Sequence, residues 1–468
     1  MRADLNFDTY QSPFSWRYGS DEMRKIFSEI NKRKLWRKIW VALARAQQKA
    51  GLLTKQELTS LEKNTNKIDI ALAQKFEKEI YHDLMAEIKV FAMQSGKAGG
   101  KIHLGATSMD IEDNADIIRI IQATDIIESK IIKLEKTFSR QIRKYKNTVC
   151  MGYTHLQPAE PTTLGLRFSI YAQDLLFDLK LIRNFKNNLL AKGMKGAVGT
   201  SASYAKLLKN SKIDAQTMSK MVMDELGLKE SIIATQTYPR KIDLLLAQAL
   251  SSVAQSLHKF CFDLRILESP NIGEWSEKRD EKRVGSSAMP FKRNPDKAEK
   301  VCSLARYISS LVNIAWANAA ESLLERTLDD SANRRIFIPE AFLAADEILE
   351  VTEKLVANLL VNESNIKNNL EKYGPFAGTE SLMLEAVKNG ANRQEIHEKI
   401  RQIAMEAWNQ IDKNGANPIA HLLARDKIII KFVDREKIPQ LIDPTAHAGL
   451  AQQQCTIFLK ELNKELSE

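Results

Sequence analysis

The chain has 468 residues, 44% hydrophobic and 27% charged, with a formal net charge of +10. That length exceeds one ordinary core, so two or three domains are expected, and the composition is that of a soluble globular protein. No apolar run approaches the roughly 20 residues needed to span a bilayer, and the polar start Met1 to Asp8 has no apolar signal core, so no membrane partner and a cytoplasmic location are expected.

A basic balance admits nucleic acid as a partner. Here, however, Lys and Arg are interleaved with Asp and Glu along the whole chain. The basic stretch Lys130 to Lys146 also has helical apolar spacing and reads as a solvated helix face, so no nucleic-acid partner is expected. The same charge suits an enzyme that gathers small polyanions. Cys150, Cys261, Cys302 and Cys455 are scattered without a CxxC pair, which predicts buried free thiols rather than a zinc or redox site.

Along the chain, His82-Asp83 is the first polar pair that could be functional or structural. The stretch Lys97 to Asp110 contains Gly105-Ala106-Thr107-Ser108, whose hydroxyls and backbone donors could meet a carboxylate, or simply cap a helix. A long run without Gly or Pro follows, from Gly105 to Gly152. In it Ile117, Ile118, Ile121, Ile127, Ile131, Leu134, Phe138 and Ile142 recur at spacings of three and four, which predicts a helix. Gly152 to Thr163 places His155 in a polar loop between helices, as a structural residue or as a proton donor and acceptor.

Gly165 to Gly193 predicts a second helix, and Pro239 to Pro270 a third, with Ile242, Leu245, Ala249, Val253, Leu257, Phe260, Leu264 and Leu267 as its stripe. Thr235 to Arg240 precedes it and could be structural. Gly285-Ser286-Ser287-Ala288-Met289-Pro290-Phe291-Lys292-Arg293-Asn294-Pro295 is a polar, mobile loop with two hydroxyls and two cations; Asn294 is expected to cap the next helix with Pro295 in its first turn. Further helical runs extend from Pro295 to Pro339 and from Pro339 to Gly374. Between them Glu325 to Arg335 carries paired arginines suited to forked anion binding, with Asp329 and Asp330 placed to hold them. Tyr373-Gly374-Pro375 is expected to end the last long run.

Several long helices in one chain can bury their stripes only against each other. Leu244-Leu245-Leu246 suggests burial on two sides and hence oligomerisation. No run reads as a period-two strand. The expectation is all-α, with domains at 1–108, 109–364 (the long-helix bundle) and 365–468. The remaining histidines, His103, His258, His397, His421 and His447, lack metal-ligand spacing, so no metal site is predicted.

Taken together, Gly285 to Pro295 resembles the signature loop of the fumarase/aspartase superfamily, G-S-S-x-x-P-x-K-x-N, while Thr154 to Ala159 and Gly105 to Ser108 resemble its other two regions, in the same order. Ser15 to Tyr18, His82-Asp83, Gln236 to Tyr238 and Thr327 to Arg335 are most similar to the adenylosuccinate lyase family within it. The resemblance covers most of the chain, from Tyr10 to about residue 450.

The resemblance implies a carbon–nitrogen lyase of purine nucleotide biosynthesis. It would be cofactor-free and metal-free, and would release fumarate from adenylosuccinate (giving AMP) and from SAICAR (giving AICAR). It implies a homotetramer whose central bundle is built from four subunits and whose active sites are shared between them. By role, it makes Ser286 the base, with Ser287 as rival, His155 the acid, and Lys292 the stabilising cation. His82 would orient phosphate or share proton handling, and Glu299 would pair with His155 or His82. Thr107 and Ser108 would bind the succinyl carboxylates; Arg17, Tyr18, Ser331 and Arg335 the phosphate end; and Asp83, Gln236, Asn294 and Lys300 other parts of the substrate.

Two positions depart from the family pattern. Tyr81 precedes His82, and Lys300 follows Glu299, where relatives carry Arg; both changes weaken bidentate anion binding. Rival readings are argininosuccinate lyase or a related cycloisomerase, and a non-catalytic structural homologue on the same fold.

Overall fold

The computed structural model describes residues 7–279, 282 and 284–467. The polar start from Met1 to Asn6 lies outside them. The chain forms two compact units. The first draws on Met1–Ile131, Asp178–Gln255 and Ser303–Glu350, and the second on Ile132–Phe177, Ser256–Cys302 and Val351–Glu468.

Helices carry the fold, as expected. Those that position the site are α1 (Glu29–Lys49), α2 (Asp83–Ser95), α3 (Ser108–Tyr145), α4 (Leu164–Asn187), α5 (Lys241–Leu267), α6 (Asp296–Ala320), α7 (Asp329–Ala357) and α8 (Glu363–Lys388). In α3 the stripe Ile117, Ile127, Ile131, Leu134, Phe138 and Ile142 is at most 1% exposed. Each such side chain contributes about 1.5–3 kcal/mol on burial, which outweighs the modest helix propensity of Ile. At 38 residues, α3 is about 57 Å long.

The α5 stripe holds from Ala249 through Val253, Leu257, Phe260 and Leu264, all buried. Its first turn differs from the expectation. Leu244 and Leu246 are buried, whereas Leu245 is 46% exposed. An apolar row also faces solvent on α4, where Ile170, Phe177 and Leu181 follow one another at intervals of seven and four.

The prediction of no strands is corrected. β1 (Val149–Thr154) and β2 (Gln157–Thr163) form an antiparallel hairpin, and β3 (Trp275–Ser276) pairs with β4 (Leu360–Val361). The alternation was masked by Pro158 and Pro161 in β2. The hairpin tolerates Pro because β2 is an edge strand, pairing with β1 alone.

Three helix boundaries also differ. The run from Pro295 to Pro339 is interrupted between Ala320 and Asp329, with no Gly or Pro there. The break coincides with one tertiary and one local bond: Gln236 N donates to Glu325 O (3.1 Å), and the Arg326 guanidinium reaches forward to Asp330 in the first turn of α7 (2.6 Å). The run from Pro339 to Gly374 is cut by β4, while Pro339 itself lies inside α7. The expected stop at Tyr373-Gly374-Pro375 does not occur, and α8 continues through it. Gly374 and Gly378 serve close approach instead. A Cβ would come within 2.4 Å of Pro444 at the first and 2.3 Å of Ile442 at the second.

All four cysteines are buried and none of them forms a disulfide, in keeping with the expected buried thiols. Among the described residues no helix is long and apolar enough to cross a membrane.

Candidate active site

The first unit gathers three of the predicted substrate-binding residues around one cavity of about 140 Å³. Asp83, Ser331 and Arg335 line it, together with Glu112, which the sequence reading did not single out. His82 caps α2: its Nδ1 accepts from Met85 N at 3.4 Å, so the imidazole stands at a helix N-terminus, 3.8 Å from the Asp83 carboxylate. Tyr81 before it is in the left-handed region (φ 55°) and 90% exposed.

Asp83 pairs with Arg335 at 2.9 Å. Burial opposes ionisation of Asp83, but the adjacent guanidinium and the Leu84 N–H outweigh it and hold the carboxyl below its ordinary range. The opposite holds for Glu112. Burial first, then the charges of Asp83, Asp116 and Asp113, push it up to about 8 against the pull of Arg335.

Thr107 and Ser108 sit at the start of α3, held by Asp110. The Asp110 carboxylate accepts from Thr107 N (3.0 Å), Gly196 N (3.1 Å), Lys195 N (3.1 Å) and the Tyr204 hydroxyl (3.1 Å), and forms a buried ion pair with Lys192. The Thr107–Asp110 bond supplies one half of a capping box, with Asp in place of Glu. It points the first N–H groups of a long helix at the Thr107-Ser108 turn, where an anion is favoured.

Part of the cavity wall is a buried charge lattice. Arg240 donates to Asp113 (3.1 Å) and to Asp330; Arg334 donates to Asp243 (2.7 Å), Asp116 (3.3 Å) and the Tyr238 hydroxyl (2.6 Å). This corrects the expectation for the 325–335 stretch. Asp330 holds Arg240 and Arg326 rather than its own neighbours Arg334 and Arg335. Of the two paired arginines only Arg335, 54% exposed on its side chain, is free to reach a ligand through its unpaired face. Arg17 is exposed and stacks on Trp16 and Tyr18 (5.6 and 5.9 Å). Gln236 is half-buried, fixed by its backbone to Glu325. His103 is structural: its Nδ1 accepts from Trp40 Nε1 at 3.1 Å, and burial pushes it down to about 4, keeping it neutral.

The second unit carries the predicted proton-transfer residues. His155 lies in the turn of the β1–β2 hairpin rather than in a loop between helices. Thr154 pairs with Gln157, so His155 and Leu156 form a two-residue connection with φ of 54° and 60°. That is the type I′ pattern, which ordinarily requires Asn-Gly, so the turn stores backbone strain at an exposed imidazole. Arg167 anchors the hairpin, donating to Met151 O (2.6 Å) and to Glu274 (2.8 Å), which also accepts from the Tyr153 hydroxyl (3.2 Å). Phe168 stacks on Trp275 with centroids 5.0 Å apart, tying α4 to β3.

In the 285–295 loop, Ser286 Oγ accepts from Met289 N (3.0 Å) and Ala288 N (3.3 Å). Ser287 is exposed and has no such donors among the described residues. The loop closes on itself. Asn294 Nδ2 donates to Gly285 O (3.0 Å), and a Cβ on Gly285 would meet Lys292 O at 2.3 Å. Asn294 is therefore not the helix cap. Pro295, whose carbonyl accepts from Glu299 N (2.9 Å), holds that position, and α6 starts at Asp296. Lys292 is exposed and Lys300 half-buried. Glu299 faces Arg265 at 3.7 Å.

Within one chain the structure thus brings together Asp83, Ser331 and Arg335, and separately Ser286, Lys292 and Asn294. Among the described residues no hydrogen bond or ion pair joins His155 to Ser286, Lys292 or Glu299, and no group of three or more His, Cys, Asp or Glu could hold a metal ion. The chemistry present is a hydroxyl held by N–H donors, a lysine, two exposed imidazoles and a guanidinium-lined cavity. Those groups suit proton abstraction, anion stabilisation and proton return.

Residues 17–309 match the family described as Lyase, and residues 375–458 the family described as Adenylosuccinate lyase C-terminus. The chain is similar to the adenylosuccinate lyase of Schistosoma mansoni, at 37% identity over 97% of this chain and 95% of that one. It is equally similar to that of Saccharomyces cerevisiae, at 37% over 98% and 96%. Among solved structures, its fold matches 3-carboxy-cis,cis-muconate lactonizing enzyme from Pseudomonas putida with a TM-score of 0.85, at 22% identity over 97% of this chain and all of that one.

Proposed function

The chain belongs to the adenylosuccinate lyase family, and from that premise we propose the following reaction. The enzyme eliminates fumarate from adenylosuccinate, leaving AMP, and from SAICAR, leaving AICAR, in purine nucleotide biosynthesis. The observation that carries this reading is the placement of Ser286 Oγ opposite two backbone N–H groups in the signature loop. Donors to a hydroxyl oxygen favour its ionised form, which a serine base requires.

Ser286 removes the proton from the carbon next to the carboxylate. Lys292 and the hydroxyls of Thr107 and Ser108 stabilise the resulting aci-carboxylate. His155 protonates the leaving nitrogen, the C–N bond breaks and fumarate departs. Arg17, Tyr18, Ser331 and Arg335 hold the phosphate end. His82 orients it. Asp83, Gln236, Asn294 and Lys300 bind the remainder.

The proton-transfer groups are not bonded to each other within one chain, and the apolar row of Ile170, Phe177 and Leu181 is exposed. Both observations support a homotetramer in which each site takes residues from several subunits, with Glu299 meeting a histidine of another copy. We keep the division at 1–108, 109–364 and 365–468 as the functional organisation, since α3 begins at Ser108 and α8 at Glu363. The expected location is cytoplasmic.

Absorbance measurement of fumarate release from adenylosuccinate by the purified protein tests the reading. Release of fumarate is the expected result. Release from argininosuccinate alone, or from neither, overturns it.

A further inference from the structure

Glu112 is a cavity carboxyl that the proposed mechanism does not use and that, among the described residues, has no cation of its own. It stands one turn beyond Ser108 on α3, with Asp116 one turn further, so the three share a helix face. It lines the cavity with Ser331, Arg335 and Asp83.

Every other carboxylate of this cluster has a cation: Asp83 has Arg335, Asp113 has Arg240, and Asp116 has Arg119 and Arg334. Glu112 forms no ion pair or hydrogen bond with any described residue. The charged groups facing the cavity from α1 are Glu29 and Lys32; ahead of α7 there is Arg326, and from α7 Arg334 and Arg335. Two of these arginines are committed to buried carboxylates, Arg326 to Asp330 and Arg334 to Asp243.

We infer that Glu112 is a substrate-positioning group that donates its carboxyl proton to the phosphate end of the substrate, so that substrate binding is linked to that proton. This rests on the functional reading above. A protonated carboxyl has one O–H donor. It adds a hydrogen bond to an anion without drawing Arg335 away from Asp83. Burial and the three surrounding carboxylates supply the proton at neutral pH by pushing Glu112 up to about 8. A dianionic phosphate placed beside it strengthens its hold on the proton. Above that range the carboxylate repels the same phosphate, and affinity falls.

The test is the pH dependence of KM for adenylosuccinate between pH 7 and 9. For the wild type, KM is expected to rise about tenfold across this interval, as a single required proton with a midpoint near 8 dictates. The rise falls on KM rather than kcat. Glu112→Gln keeps a donor of the same size and should give a flat profile. A Glu112→Gln profile that matches the wild type overturns the inference.

A second measurement needs no variant. Calorimetric titration of the wild type with AMP at pH 8.5, in two buffers of different ionisation enthalpy, should show proton uptake on binding. Binding of AMP without proton uptake overturns the inference. Wild-type protein that releases no fumarate at pH 7 overturns the functional reading and the inference with it, whereas an active wild type with no proton linkage overturns the inference alone.

Discussion

Ser286 Oγ accepts a hydrogen bond from the backbone N–H of Met289 at 3.0 Å, and Ser287, its neighbour, has no equivalent donor among the described residues. Such a turn is an ordinary serine motif, but it also lowers the cost of an alkoxide at one hydroxyl and not the other. Ser286→Ala should therefore lower kcat by about 10³, the scale of a lost general base, and Ser287→Ala by no more than about tenfold. Steady-state fumarate release distinguishes them. Equal losses would remove the basis for choosing the first serine.

The Asp83–Arg335 pair makes a prediction about acid. Asp83 is held below its ordinary value of 3.8 in the folded chain. A depressed carboxyl contributes stability above its unfolded value, and that contribution is lost as pH falls through the folded value. Asp83→Asn should thus be less stable than the wild type at pH 6, and the gap should close as pH falls below about 4. Urea titrations at pH 6 and pH 3.5 measure it; a gap that widens in acid would reverse the sign of the argument.

Asp110 and Lys192 are fully buried together. Removing one charge strands the other, at a cost of about 3–5 kcal/mol. Asp110→Asn should show that loss in the denaturation midpoint. KM should also rise, because the Thr107 turn loses its tether. A variant of wild-type stability would mean that Lys192 finds another partner.

Leu156 occupies a left-handed position that favours glycine. Leu156→Gly should stabilise the chain by about 1 kcal/mol, the size of the relieved penalty. It should also lower kcat, since a looser turn spreads the orientations of His155. Thermal denaturation and turnover, measured on the same preparation, test the two halves separately.

Much of this is legible in the amino-acid sequence. The Ile stripe of α3 and the later part of the α5 stripe gave their helices, because in both the period of burial is the period of the sequence. The loop from Gly285 to Pro295 was legible because its residue types are more specific than a turn demands. Asp110 was not, since Lys192 and Tyr204 lie 82 and 94 residues away. Glu112 escaped notice because its distinction is the lack of a partner, which no sequence displays. The hairpin was missed because its turn carries His-Leu rather than Asn-Gly. Gly374-Pro375 was misread because Gly374 serves packing against Pro444, not chain reversal.

The charge lattice in the cavity wall has a consequence for biosynthesis. Asp116 and Arg334 are separated by 218 positions, and Asp113 and Arg240 by 127. A nascent chain that has emerged only to residue 320 carries Asp243 without Arg334, leaves Asp113 and Asp116 with Arg240 and Arg119 alone, and lacks the Asp330 partner of Arg240, so burying these charges in that state is unfavourable. The first unit must therefore stay open on the ribosome until α7 has been made, and then close in one late step. Ribosome-bound chains arrested at residues 320 and 380 should differ sharply in protease resistance over the first 130 residues, with protection only in the longer one.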